Sequence, residues 1–239
     1  MPTITNKQRQ LTHLFSALKK RYEPAEPPPL PVLEQFLYAI CREGATRARA
    51  DEVFRLLKER FFDWNEIRVS SVREIDEVFE DYRDADVRAQ RLIDLLQEVF
   101  EMTFSFELES LQKKGLKEAA KKLARYKAAN DYAVAWVVQR SLGGHAIPLD
   151  APTVRVLRRL GVLDGEQQDI ETMRASLEHL IPKSKGPLFN ELLSELAEEL
   201  CHEEEPKCSD CPLRGDCPSA QTAVSVLATA ERGMRSKPR

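Results

Sequence analysis

Four of the five cysteines in this 239-residue chain, Cys201, Cys208, Cys211 and Cys217, fall within seventeen residues with the spacing C-x6-C-x2-C-x5-C. Four thiolates gathered by short turns can hold a tetrahedral zinc ion or the corners of a 4Fe-4S cluster. Structural zinc sites made of four cysteines usually come as two C-x2-C pairs. Here only the middle gap is that short, which favours the cluster and leaves zinc as the alternative. A disulfide-stapled secreted loop is the third reading. The polar N-terminus, Met1 to Lys7, carries no secretory signal, so the expectation is reduced thiols in a cytoplasmic protein. Cys41 lies far from the other four, on the apolar face of a predicted helix, and reads as core.

The elements that must position this loop are helices. There are only nine glycines, helix-period apolar stretches recur along the chain, and no segment sustains period-two alternation. The formal net charge of −3 gives no global basic field, although a local basic face can coexist with acidic ones. No apolar run approaches the roughly 18 residues of a membrane span. A first helix is predicted over 7–22, followed by an extended connector over 23–31 that contains five prolines. A buried helix from Val32 ends at Gly44, and the next, over 47–61, starts from Thr46 as N-cap. Phe61 to Arg68 is expected to form an aromatic-packed turn in which Trp64 is a core anchor. Ser70 or Ser71 caps a short helix after it.

An amphipathic helix is predicted over 87–102. After it, Lys113, Lys117, Lys121 and Arg125 recur every four residues, with Leu116, Ala120 and Leu123 on the opposite face. That stripe is either a solvated face or one aimed at phosphates. A nearly apolar helix over 132–142 must be central, and Gly143-Gly144 stops it. Helices over 166–180 and 188–200 then lead into the cysteines. The tail is expected to be helical through Val224, Val226 and Leu227, and basic at Arg232, Arg235, Lys237 and Arg239. His13, His145 and His179 have no ligand-type partners at helical spacing and read as structural.

The stretch His145-Ala146-Ile147-Pro148-Leu149-Asp150-Ala151-Pro152 delivers Asp150 to a helix start, where its carboxylate can cap orphan amides. Arg155-Val156 and Arg159-Leu160-Gly161 follow. Together with the cysteine spacing, these residues resemble the endonuclease III family of DNA repair glycosylases. That family's catalytic aspartate sits in a hydrophobic-Asp-Thr-His loop before a similar helix. The resemblance implies an all-α fold of two helical lobes with a helix-hairpin-helix element and a C-terminal 4Fe-4S loop. Its divisions are an N-terminal helix and connector at 1–31, the family-like domain at 32–218 and a tail at 219–239. Within the domain the central helices occupy about 32–142, the second-lobe helices about 150–200 and the cluster loop 201–217.

The implied activity is base excision from double-stranded DNA carrying a lesion or mismatch, by a monomer. Asp150 would stabilise an oxocarbenium-like sugar and help place a water against it while the target base is flipped out. The position of the lysine that forms a Schiff base in bifunctional members holds Tyr132, so a monofunctional glycosylase is implied, with Lys127 the remaining amine that could reach in. Lys127, Ala128 and Asn130 of the hairpin, with Lys121 and Arg155, are the implied DNA contacts.

This chain also departs from the family pattern. Ala151 and Pro152 replace Thr and His, and Ala128 and Asn130 replace hairpin glycines. Asp131 adds a negative charge there, and Gly44 aligns with the residue that fills the gap left by a flipped base. His202-Glu203-Glu204-Glu205 is acidic where the family loop is basic. A catalytically inactive module of the same scaffold, binding DNA or a partner, is therefore the competing reading. An iron-sulfur redox protein, with no second cofactor motif, is the third.

Overall fold

The computed structural model describes residues 4–24, 29–163 and 169–221. Among these, α-helices and short 3-10 turns are the only regular structure. Eleven helices follow one another: α1 (Ile4–Arg21), α2 (Val32–Arg42), α3 (Arg47–Arg60), α4 (Trp64–Val69), α5 (Val72–Asp76), α6 (Ala85–Thr103), α7 (Leu116–Leu123), α8 (Asp131–Arg140), α9 (Ala151–Arg159), α10 (Ile170–Leu180) and α11 (Gly186–Glu199). No helix among the described residues is long and apolar enough to cross a membrane.

Local chemistry sets most helix starts. Thr46, Asp63, Ser71, Asn130, Asp150 and Asp169 each accept a backbone N–H from the first turn of the following helix. Each such cap is worth about 1 kcal/mol. Ser71 and Glu74 form a reciprocal capping box. Helix α2 follows Pro31 and has no such side chain of its own. Its first N–H, on Val32, donates to Glu109 Oε1 at 3.0 Å, borrowed from a distant 3-10 turn.

Two cores result. The first joins α2, α3, α6 and the inner faces of α7 and α8, with Phe36, Leu37, Ile40, Leu95 and Trp136 at its centre. The second joins α1, α9, α10 and α11 through Leu14, Leu18, Leu157, Leu177, Phe189 and Leu193, and the cysteine loop closes over one end of it. Helix α1, at the start of the chain, is thus built into the core formed by the chain's last helices.

Three details differ from the sequence expectation. Phe61 to Arg68 is more than a turn: Asp63 accepts the Glu66 N–H at 2.8 Å and starts α4. Trp64 packs on Phe54 with centroids 5.8 Å apart, the expected core anchor. On α7 the buried pair is Ala119 and Leu123, whereas Leu116 is exposed because it lies at the helix start, over Gly144. Helix α10 begins at Ile170 after the Asp169 cap, and Glu166 lies outside the described residues, as do Pro27 and Pro28 of the connector and the tail beyond Gln221.

Candidate active site and cysteine loop

Asp150 sits between the two cores, 8% exposed, with both carboxylate oxygens engaged. Oδ1 accepts the Thr153 N–H at 2.9 Å, the cap of α9, and Oδ2 accepts the Gly44 N–H at 2.9 Å from the first core. Gly44 reaches it from the turn after α2 with φ of +72°, a left-handed conformation that a Cβ would strain. A carboxylate has about four acceptor sites, so two remain for other partners. Gly44 and Pro152 stand in the wall of a cleft of about 730 Å³ that runs between the lobes to the cysteine loop.

Tyr132 lies in the first turn of α8, buried and stacked on Trp136 at 6.0 Å and 25°. Burial pushes its hydroxyl above the ordinary phenol range, with Arg42 opposing and Asp150 adding to the rise, so Tyr132 is a neutral phenol at neutral pH. Beneath it lies an interior ion cluster. Arg42 donates to Glu191 Oε2 at 3.0 Å and to Ser194 Oγ at 2.7 Å, and Arg140 donates to Glu191 Oε1 at 2.7 Å. Arg42 also donates to the Ala45 carbonyl, so the same guanidinium that ties α2 to α11 holds the turn carrying Gly44.

The expected DNA contacts are distributed unevenly. Lys121 and Lys127 are exposed on one side of the hairpin between α7 and α8, in keeping with the lysine stripe. Ala128 is buried, and Asn130 caps α8 while donating through Nδ2 to both oxygens of Glu43, at 2.8 and 2.9 Å. The Lys127 and Ala129 N–H groups are taken by Glu98 Oε2 and the Tyr126 carbonyl. Arg155 is turned toward the loop: its Nε donates to the Cys201 carbonyl at 3.0 Å.

The four cysteines line one cavity of about 230 Å³, walled by Leu160, Leu196 and Leu200. Arg159 Nη1 lies 3.4 Å from Cys201 Sγ and donates to the His202 carbonyl, while its Nη2 donates to that of Glu203. Burial pushes the Cys211 and Cys217 thiols above their ordinary range, so four thiolates here require a compensating positive group. No group of three or more Cys, His, Asp or Glu among the described residues is arranged to hold a metal ion. A zinc ion needs every sulfur about 2.3 Å from one point.

Cys41 is buried and its thiol is pushed up to about 12 by burial, an inert core residue as expected. His13 Nδ1 lies 2.5 Å from Asp216 Oδ2, tying α1 to the loop. Sequence reasoning overlooked Arg42, Glu43, Arg88 and Glu191. Only Arg155 and Arg159 left a signal, four residues apart on one face of α9.

No family model matches the chain. An endonuclease III homolog from Encephalitozoon cuniculi is 27% identical over 113 residues, a match that spans 47% of this chain and 47% of that protein, about half the length of each. A solved non-covalent endonuclease III–DNA complex superposes with a TM-score of 0.71 at 17% identity, covering 94% of this chain and all of the other. A thermostable thymine-DNA glycosylase gives a TM-score of 0.64 at 19% identity, covering 92% and 100%. The chain has the fold of these solved glycosylase structures, and about half of its sequence is similar to that endonuclease III homolog.

Proposed function

We propose that this chain is a DNA glycosylase of base excision repair that acts without a covalent amine intermediate, on double-stranded DNA with a damaged or mismatched base. The observation that carries this is Asp150: a carboxylate held by two backbone amides between Gly44 and Thr153, directly behind Gly44 and Pro152 in the wall of an inter-lobe cleft, with capacity left for two more partners. Cleavage breaks the bond between sugar C1′ and the base nitrogen, whose electron pair leaves with the base. Asp150 stabilises the positive sugar and takes the proton of the water that adds to C1′. Tyr132 is a neutral phenol and supplies no nucleophile, and the exposed Lys127 is the nearest amine in sequence.

Cys201, Cys208, Cys211 and Cys217 would hold a 4Fe-4S cluster that fastens residues 201–217 to α9 and α11, with Arg155 and Arg159 gripping the loop from α9. The group's contribution there is structural cross-linking. Lys121 and Lys127 would face the phosphates.

Single-turnover excision from a panel of lesion and mismatch duplexes tests the reading. Asp150→Asn is expected to slow excision by about 10³-fold, within the usual worth of a positioned acid or base, while binding to a duplex with a stable abasic analogue persists. Equal excision by wild type and variant removes Asp150 from the mechanism.

One set of observations favours the second reading, a non-catalytic module. The Lys127 and Ala129 amides are already spent within the protein, and Glu203, Glu204 and Glu205 line the cleft. Negligible binding to both abasic and intact duplexes would select it.

A further inference from the structure

We propose that Arg88, on α6, is a positioning residue for Asp150 and acts through one peptide plane. This rests on the reading of Asp150 as the reacting carboxylate. The amide that reaches Asp150 is the N–H of Gly44, and the carbonyl of that same peptide unit belongs to Glu43. Arg88 Nη2 donates to the Glu43 carbonyl at 2.7 Å, and Gly44 N donates to Asp150 Oδ2 at 2.9 Å. No described peptide bond is cis. In a planar trans peptide the C=O and N–H point in opposite directions, so fixing one aims the other. The guanidinium on one edge and the carboxylate on the other polarise the same amide, and hydrogen bonds in such a chain strengthen one another.

Arg88 is itself immobilised. It is 5% exposed, its Nε donates to Asp84 Oδ1 at 2.8 Å, its Nη1 donates to the Ile40 carbonyl, and it stacks over Tyr82 at 4.5 Å. Tyr82 donates in turn to the Cys41 carbonyl at 2.8 Å. The last carbonyls of α2 are therefore capped by side chains from elsewhere. Glu43 adds a second tie by accepting from Asn130 and Arg91, so the turn that serves Asp150 also registers α8, the helix carrying Tyr132. A Cβ on Gly44 would meet nothing nearer than Arg88 Nη2 at 3.8 Å, so left-handed backbone geometry, rather than crowding, is what restricts this position.

Backbone amide exchange, read residue by residue on the full chain, separates this from a general packing role, with the Leu37 amide inside α2 as reference. In Arg88→Gln the Gly44 amide is expected to exchange at least about tenfold faster while Leu37 is unchanged. Single-turnover excision should fall on the order of 10²-fold, the cost of a misplaced reacting group, with affinity for the abasic duplex within about twofold. Arg88→Lys keeps the charge and reaches only one carbonyl at a time, so it carries the same test if Arg88→Gln does not fold. Unchanged exchange at Gly44 would overturn the proposal. So would equal loosening of Gly44 and Leu37, which would mean that Arg88 only holds the end of α2. A wild-type protein that excises nothing would defeat the glycosylase reading instead, and the exchange experiment would still decide whether Arg88 aims Gly44.

Discussion

Helix α9 has two ends built on opposite principles. Its N-terminal end presents Asp150, and everything that fixes the carboxylate is protein: its own cap to Thr153, the Gly44 amide, and behind that the buried Arg42–Glu191–Arg140 cluster. Its C-terminal half grips the cysteine loop through Arg155 and Arg159. That loop contributes only Leu213 and Cys217 to the fully buried core and otherwise surrounds a cavity. One end is complete as folded. If the four thiols hold the proposed cluster, the other end takes its stability from what they bind, and the two ends should then fail differently.

The largest effect on stability is expected at the aspartate end. Glu191→Gln leaves two buried guanidinium groups without their shared counter-charge, and breaking such a pair costs about 3 kcal/mol. Urea unfolding measures it. A change below about 1 kcal/mol would show that the interior cluster does not hold this end together. At the loop end, Cys217→Ser should abolish the visible absorbance of a bound cluster. Amide exchange should then accelerate throughout 201–217 while the Gly44 amide stays protected. Loss of protection at both places would merge the two ends into one cooperative unit.

Arg159→Met tests the grip, since it keeps apolar bulk and removes the bonds to the carbonyls of His202 and Glu203 together with the contact to Cys201 Sγ. A cost of about 1–2 kcal/mol is expected in the cluster-loaded protein. The smallest effect lies where α1 meets α11. Arg21, and after it Tyr22, hold the Glu199 carboxyl down to about 2 from its ordinary 4.5. A depressed folded-state value stabilises above the unfolded one, and this contribution is lost as pH falls from about 4.5 toward 2. The pair is exposed and screened by solvent, so the acid limb should be shallow. Arg21→Ala should flatten that limb, and an unchanged limb would place the acid sensitivity elsewhere.

Features carried by local chemistry are legible in the sequence. Thr46, Asp150 and one of Ser70 and Ser71 read as caps, 87–102 reads as an amphipathic helix, and the four cysteines read as one site. Features that depend on a distant partner are not. Arg42 closes a largely apolar helix and looks like a surface residue there, and its burial makes sense only with Glu191, 149 residues away. Arg88 looks like one more polar residue at the start of α6, because nothing local shows that its targets are the carbonyls of Ile40 and Glu43. Arg155 reads as a DNA contact because a cationic side chain in a family-like helix suggests phosphate; it lines the cleft, and nothing local shows that it also donates to the carbonyls of Cys201 and Ala197.

The placement of α1 sets an order of events during synthesis. Its apolar face, Leu11, Leu14 and Leu18, belongs to the core whose main helix, α11, begins at Gly186. At roughly 5–20 residues per second, the ribosome delivers that partner on the order of ten seconds after α1 has emerged. The first core, from α2 through α8, can close in that interval. Until then the leucines of α1 lack their native cover, so this helix is exposed apolar surface for longer than the helices of the first core.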